Sequence, residues 1–186
     1  HLTLDAAMGS YHDSEHALLR PLLEHLPENS VTIVDKNFHG VPFLWHLSRL
    51  GGERHFLLPA KKDTVGDIVE THGKNDFTIE LSASVQSRKK YPEMPAKLRV
   101  RAVWFRHPRT GRQRWLLTSL MDRKAYPRLA LVQLYKERWE IELGYDEFKT
   151  HMLDSATTLR SKTVQGVHQE LWGCLLAHNL VRWMMF

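Results

Sequence analysis

Three short apolar runs constrain this chain most. Val31-Thr32-Ile33-Val34, Phe56-Leu57-Leu58 and Trp115-Leu116-Leu117-Thr118-Ser119 are too brief for buried helices, lack polar alternation and lean on residues that fill a sheet covered on both faces. Helical patterns lie between and after them. Leu18, Leu19, Leu22, Leu23 and Leu26 fall on helical spacing, which predicts an amphipathic helix over 14–26 capped by Ser14 or Asp13. A second helix over 41–50 is stopped by Gly51-Gly52, and two long ones are expected from Pro127 to about Met152 and from Val164 to Met185. Leu2 to Met8 alternates weakly and reads as a further strand entering a turn at Gly9.

The pattern changes between Pro59 and Arg114. Turn signals at 71–75, 91–95 and 108–111 separate alternating segments such as Phe77–Leu81 and Leu98–Trp104, the mark of antiparallel strands. The order strand, helix, strand, helix, strand, β-rich stretch, strand, helix, helix predicts an α/β fold. In this reading a parallel-leaning sheet flanked by helices is interrupted by a mainly antiparallel module, with boundaries at 1–58, 59–114 and 115–186.

Composition excludes several alternatives. With 42% hydrophobic and 25% charged residues the 186-residue chain has ordinary globular content, and no apolar run approaches the roughly 18 residues of a spanning helix. No membrane partner is expected. Cys174 is the sole cysteine, so neither an intramolecular disulfide nor a multi-thiolate zinc site can form, and a reducing, cytoplasmic-type compartment is the default. His12 and His16 flank Asp13 at metal-like spacing, but the sequence shows no third ligand beside them.

Charge is unevenly spread. Residues 86–114 hold ten Lys or Arg (Arg88, Lys89, Lys90, Lys97, Arg99, Arg101, Arg106, Arg109, Arg112 and Arg114) against Glu93 alone. Such a block is either the footprint of a phosphate backbone, whose counterions are released on binding, or a solvated basic face. Tyr91, Trp104 and Phe105 within it and Trp115 just after favour nucleic acid, because aromatic rings stack on exposed bases. Lys61 and Lys62 open the β-rich stretch and extend this basic surface or sit in an ordinary solvated loop.

The sharpest motif lies on the first long helix. At about 100° per residue, Tyr135, Arg138, Glu142 and Lys149 share an arc of roughly 60°, bordering the face on which Leu134, Ile141, Tyr145 and Phe148 fall. Arg138 and Glu142 alone would be an ordinary i, i+4 surface ion pair worth about 0.3–0.5 kcal/mol. The complete spacing is Y-x(2)-R-x(3)-E-x(6)-K, and this resembles the signature of bacterial insertion-sequence transposases of the DDE type, in particular the insertion-sequence-4 family. The segment Val31-Thr32-Ile33-Val34-Asp35-Lys36-Asn37-Phe38 resembles that family's strand ending in the second catalytic aspartate. Phe56-Leu57-Leu58-Pro59-Ala60-Lys61 and Trp115–Ser119 resemble the strands that leave and re-enter its core around a β-rich insertion.

The resemblance implies an RNase H-like core, N-terminally truncated here, in which Asp35 and Glu142 are catalytic metal ligands. Phosphodiester cleavage by paired divalent ions needs clustered carboxylates, one ion activating water or a 3′-hydroxyl and the other stabilising the leaving oxygen. Magnesium, or manganese, is the implied cofactor. By the same resemblance Tyr135, Arg138 and Lys149 hold phosphates of a transposon end, and Trp115 stacks a flipped-out base while a DNA hairpin forms, its alternative being a core tryptophan in a strand. The implied partners are double-stranded DNA, at transposon ends and target, and a second copy of the chain in a dimer on DNA. The family's first catalytic aspartate is expected upstream of residue 1; Asp5 lies inside the strand after it and is not assigned the role. The chain alone is therefore expected to bind DNA better than it cuts it, the alternative reading being a catalytically dead, DNA-binding remnant or domesticated derivative.

Overall fold

The computed structural model describes residues 2–61, 64, 66–106, 111, 113–147, 150 and 159–185. Its elements run α1 (Glu15–Leu22), β1 (Ser30–Ile33), α2 (Val41–Ser48), β2 (Arg54–Pro59), β3 (Gly66–Gly73), β4 (Asp76–Ser82), α3 (Val85–Lys90), β5 (Lys97–Arg106), β6 (Gln113–Thr118), α4 (Arg128–Glu147) and α5 (Val164–Met184). The chain divides into a sheet unit, Leu23–Lys136, and a helical unit, His1–Leu22 with Glu137–Phe186. The first half of α4 thus belongs to one unit and its second half to the other.

The sheet unit is a single six-stranded sheet in the order β1-β2-β6-β5-β4-β3. The three apolar runs form β1, β2 and β6, side by side as their composition requires. Only β1 and β2 pair in parallel, and β2–β6, β6–β5, β5–β4 and β4–β3 are all antiparallel. The expected parallel-leaning sheet is corrected here: helices cover an antiparallel sheet on both faces equally well, so two-sided apolar runs do not fix strand direction. Strands β3, β4 and β5, from the alternating stretch, continue the same sheet. Strand β5 pairs with β6 over Arg101–Arg106 and with β4 over Lys97–Val103.

One face carries the core of Leu57, Val103, Phe105, Leu116 and Leu120, closed by Leu131 of α4, with Val132, Leu134 and Tyr135 packed beside it. Helix α2 packs against β2 and buries Leu44 and Leu47. Complete burial of Leu57, Leu58, Leu116 and Leu117 at the centre of the sheet makes this the stable heart of the unit. Gly51 and Gly52 follow α2 with φ of +66° and +58°, left-handed values that glycine adopts without a Cβ penalty, and they turn the chain into β2.

Two further expectations are revised, and one element is new. Leu2 to Met8 forms no strand; instead Asn179 of α5 accepts from the Thr3 N–H at 2.7 Å and donates to the Thr3 carbonyl at 2.7 Å, a side-chain amide standing in for a strand partner. The first helix is capped by Ser14, whose Oγ accepts from Ala17, but tightens into a 3-10 turn at Leu23–His25, just past Pro21, which has no N–H for the helical ladder. The basic stretch Arg88-Lys89-Lys90 is helical in α3, started by Ser84, whose Oγ accepts from the Ser87 N–H at 3.1 Å.

Candidate active site and nucleic-acid interface

Asp35 sits just past β1, where the buried Val34 gives way to an exposed turn. Its Oδ1 caps the 3-10 turn Lys36–Phe38 by accepting from the Asn37 N–H at 2.8 Å. The Phe38 ring packs on Phe43 at 5.4 Å, so the turn is anchored behind the carboxylate. Oδ2 has no partner among the described residues. Strand-end placement, a rigid turn and a spare oxygen suit a ligand for a hard cation.

Helix α4 carries the stripe. Tyr135, in the sheet unit, is half-buried with its ring edge-on to Phe105 at 5.3 Å. Arg138 and Glu142, in the helical unit, form the i, i+4 pair with Nη1 to Oε1 at 2.5 Å, their side chains 30% and 43% exposed. Glu142 thereby keeps one oxygen, Oε2, without a partner among the described residues. The surface ion pair anticipated as the ordinary reading of Arg138 and Glu142 does form. Lys149 and Lys62 lie outside the described residues.

Strand pairing builds an aromatic cavity that sequence order hides. Trp104 and Trp115 are register partners on β5 and β6, their rings 4.6 Å apart, and Phe77 of β4 lies 5.3 Å from Trp115. Together with Ala60, Lys61, Thr64, Gln113 and Arg114, the two tryptophans line a cavity of about 660 Å³. The Thr64 hydroxyl is buried and has no hydrogen-bond partner among the described residues. Trp115 is half-buried at a cavity wall, not sealed in the core, and Lys61 stands beside it. Trp104 was visible in the sequence only as one more aromatic of the basic block; its pairing with Trp115 is a property of register.

The basic block is less basic than its count. Arg101 is 1% exposed and holds Asp76 through Nε and Nη2 at 2.9 and 2.6 Å. Arg99 and Lys97 both engage Glu80, and Lys97 also engages Asp67. Hydrogen bonds donated by Arg99 and then Lys97 pull the Glu80 carboxyl below the ordinary glutamate range, while donating to Asp67 and then Glu80 raises the Lys97 ammonium above its ordinary value. The neutralising acids come from β3 and β4, outside the run that was counted. Among the described residues, what remains for a phosphate backbone is Arg88, Lys89 and Lys90 exposed on α3, Arg106 exposed at the end of β5, and Arg114 at the tryptophan cavity; Arg109 and Arg112 lie outside the described residues.

No group of three or more His, Cys, Asp or Glu that could hold a metal occurs among the described residues, and none of the described helices is long and apolar enough to cross a membrane. Asp35 and Glu142 each offer an unengaged carboxylate oxygen of the hard type, which fits magnesium or manganese by donor chemistry.

The described residues thus present a strand-end aspartate, a helix bearing Tyr, Arg and Glu on one stripe, and a sheet with half its strands supplied by a β-rich stretch. A family model described as the transposase DDE domain matches residues 1–180, and the chain belongs to the DDE transposases of the insertion-sequence-4 family. It is 40% identical over 185 residues, 100% of its length, to the transposase InsG for insertion sequence element IS4 of Escherichia coli strain K12, of which it spans 41%. The putative transposase InsZ of the same strain is 37% identical over 70 residues, 38% of this chain and 23% of that protein.

Proposed function

We propose that this chain is catalytic-domain material of a DNA transposase that cleaves and joins DNA at insertion-sequence ends. What carries the proposal is that a chain of this family has both Asp35, at a strand end with Oδ2 without a described partner, and the Tyr135-Arg138-Glu142 stripe on α4. Asp35 and Glu142 would hold magnesium or manganese; when bound, such ions lower the pKa of water and stabilise an oxyanion leaving group. Tyr135 and Arg138, with Lys149 further along, bind phosphate oxygens of the transposon end, Arg138 exchanging its contact with Glu142 for a phosphate as Glu142 turns to its ligand role. The Trp104–Trp115 cavity offers two ring walls to a base drawn from the duplex, the step a hairpin intermediate requires. Lys61 and Arg114 place cations at its rim for the adjoining phosphates, with Lys62 next in the chain.

At the level of fold, we read the sheet unit as part of an RNase H-like core, residues 1–58 and 115–186 with 59–114 inserted between them. Strands β3 to β5 reach the core through the long β5–β6 ladder, which supports that reading. We propose, on the family resemblance, a dimer acting on paired double-stranded DNA ends, transposon and target. With two carboxylates assigned, the isolated 186 residues should bind DNA better than they cut it.

The test is a comparison in the full-length protein. Asp35→Ala and Glu142→Ala should drop cleavage of end-sequence DNA to background while leaving end binding within about threefold, since phosphate contacts position the DNA independently of the metal ligands. Retained cleavage in either variant overturns the assignment. A parent that binds ends but never cleaves would show a DNA-binding remnant instead.

A further inference from the structure

Three arginines tie the connection between β6 and α4 to the strands beside it. Arg101 Nη1 donates to the carbonyls of Leu120 at 3.2 Å and Tyr126 at 2.8 Å, the two ends of that connection, while Nε and Nη2 grip Asp76. Arg128, the first residue of α4, donates to the Trp104 carbonyl at 3.0 Å, and Arg123 donates to the His72 carbonyl at 3.4 Å. Between them Asp122 closes the turn, its side chain accepting from the N–H groups of Lys124 at 2.8 Å and Ala125 at 3.1 Å.

A buried ion pair is poor evidence of stabilisation, because desolvating both charges offsets their attraction and a well-packed apolar pair often serves as well. What an apolar pair cannot do is satisfy two carbonyls. The planar guanidinium directs donors two ways at once, to the Asp76 carboxylate and to the backbone that launches α4, and a lysine ammonium lacks that fork. We propose that Arg101 is a positioning residue for the α4 stripe: by holding Leu120 and Tyr126, it fixes where α4 begins and so the register in which it carries Tyr135, Arg138 and Glu142. Through Arg101 and Arg128 the strands that shape the tryptophan cavity also set the start of the helix bearing the proposed metal ligand.

The inference rests on the transposase reading for its consequence, but its structural half is testable without catalysis. In the full-length protein, Arg101→Lys keeps a cation beside Asp76, and the double variant Arg101→Met/Asp76→Asn removes both charges at nearly the same volume. Amide hydrogen exchange over residues 120–135 should quicken by about tenfold or more in both variants while the amides of β2 and β6 keep parental protection. Cleavage should then fall about 100-fold in kcat, the scale of a misplaced reacting group, with the KM for end DNA within about threefold. Equal loss of protection in β2 and β6 would make Arg101 merely structural, and unchanged exchange at 120–135 or an unchanged kcat in a cleaving parent would also overturn the proposal. A parent without cleavage would defeat the transposase reading, and the exchange pattern would still decide whether Arg101 sets the start of α4.

Discussion

In the sheet unit Phe56, Leu57, Leu58, Leu116 and Leu117 are sealed from solvent, whereas in the helical unit His178 alone among the described residues is buried. There Trp172, Leu176, Leu180, Trp183 and Met184 of α5 lie between 43% and 83% exposed, and Trp139, Ile141, Leu143 and Tyr145 of α4 are exposed as well. The two regions have similar apolar side chains and differ in whether the described structure covers them. Stability is concentrated where strands pair on both sides of a buried strand, while the stripe proposed to meet DNA rides on a helix that starts in the well-packed region and ends in the open one. The anchoring at the β6–α4 connection gains its meaning from that contrast.

Truncation of the core should give the largest effect. Leu116→Ala should cost about 2–5 kcal/mol in denaturant unfolding, because neighbouring strands cannot collapse into the space, while Leu176→Ala, 63% exposed on α5, should stay within about 0.5 kcal/mol of the parent. Equal losses would erase the distinction between the units.

Charges within the sheet unit divide in the same way. Removing Arg114, at the tryptophan cavity, should reduce the log–log salt slope of DNA binding by about 1. Arg99→Ala should leave the slope unchanged, because Arg99 is already engaged by Glu80. A titration in filter binding or fluorescence anisotropy distinguishes them.

In the helical unit Glu170 accepts from the N–H groups of Arg160 and Ser161 at 3.0 Å each, which holds its carboxyl below the ordinary 4.5. A carboxyl depressed in the folded state stabilises above its unfolded value and loses that contribution as pH falls through the folded value. Glu170→Gln should therefore lower the Tm near pH 7, and the gap from the parent should close below 4.5. A gap that persists or widens in acid would show that the clamp on the segment before α5 does not depend on the ionised carboxylate.

The smallest effect should be a gain. A Cβ at Gly144 of α4 would meet nothing within 4 Å, so Gly144→Ala should stabilise by about 0.5–1 kcal/mol through helix propensity. A loss would place a neighbour over that face of α4.

Much of this was legible because hydrophobic period is local. The runs at Val31, Phe56 and Trp115, the helix after Gly40 and the two long helices all appear where side-chain spacing places them. Strand β3 was missed because GDIVETHG, at a sheet edge, is mostly exposed, even at Ile68 and Val69, and so shows no buried apolar face. Direction and register were illegible for a different reason: they are set by partners distant in sequence. The same gap hid the neutralisation of Lys97, Arg99 and Arg101 by Asp67, Glu80 and Asp76, and the meeting of Trp104 with Trp115. The α4 stripe needed only a helix to be read, whereas the anchoring that fixes its start needed the sheet.

The central claim, that Asp35 and Glu142 work as one metal-holding pair, is tested most directly by a double-mutant cycle. Cleavage of end DNA by the full-length protein would be measured in single-turnover experiments for Asp35→Ala, Glu142→Ala and both together. The account predicts that each single variant is as inactive as the double, since groups acting as a unit lose their effect together. Independent, multiplicative losses, or a single variant that cleaves at the parental rate, would contradict it.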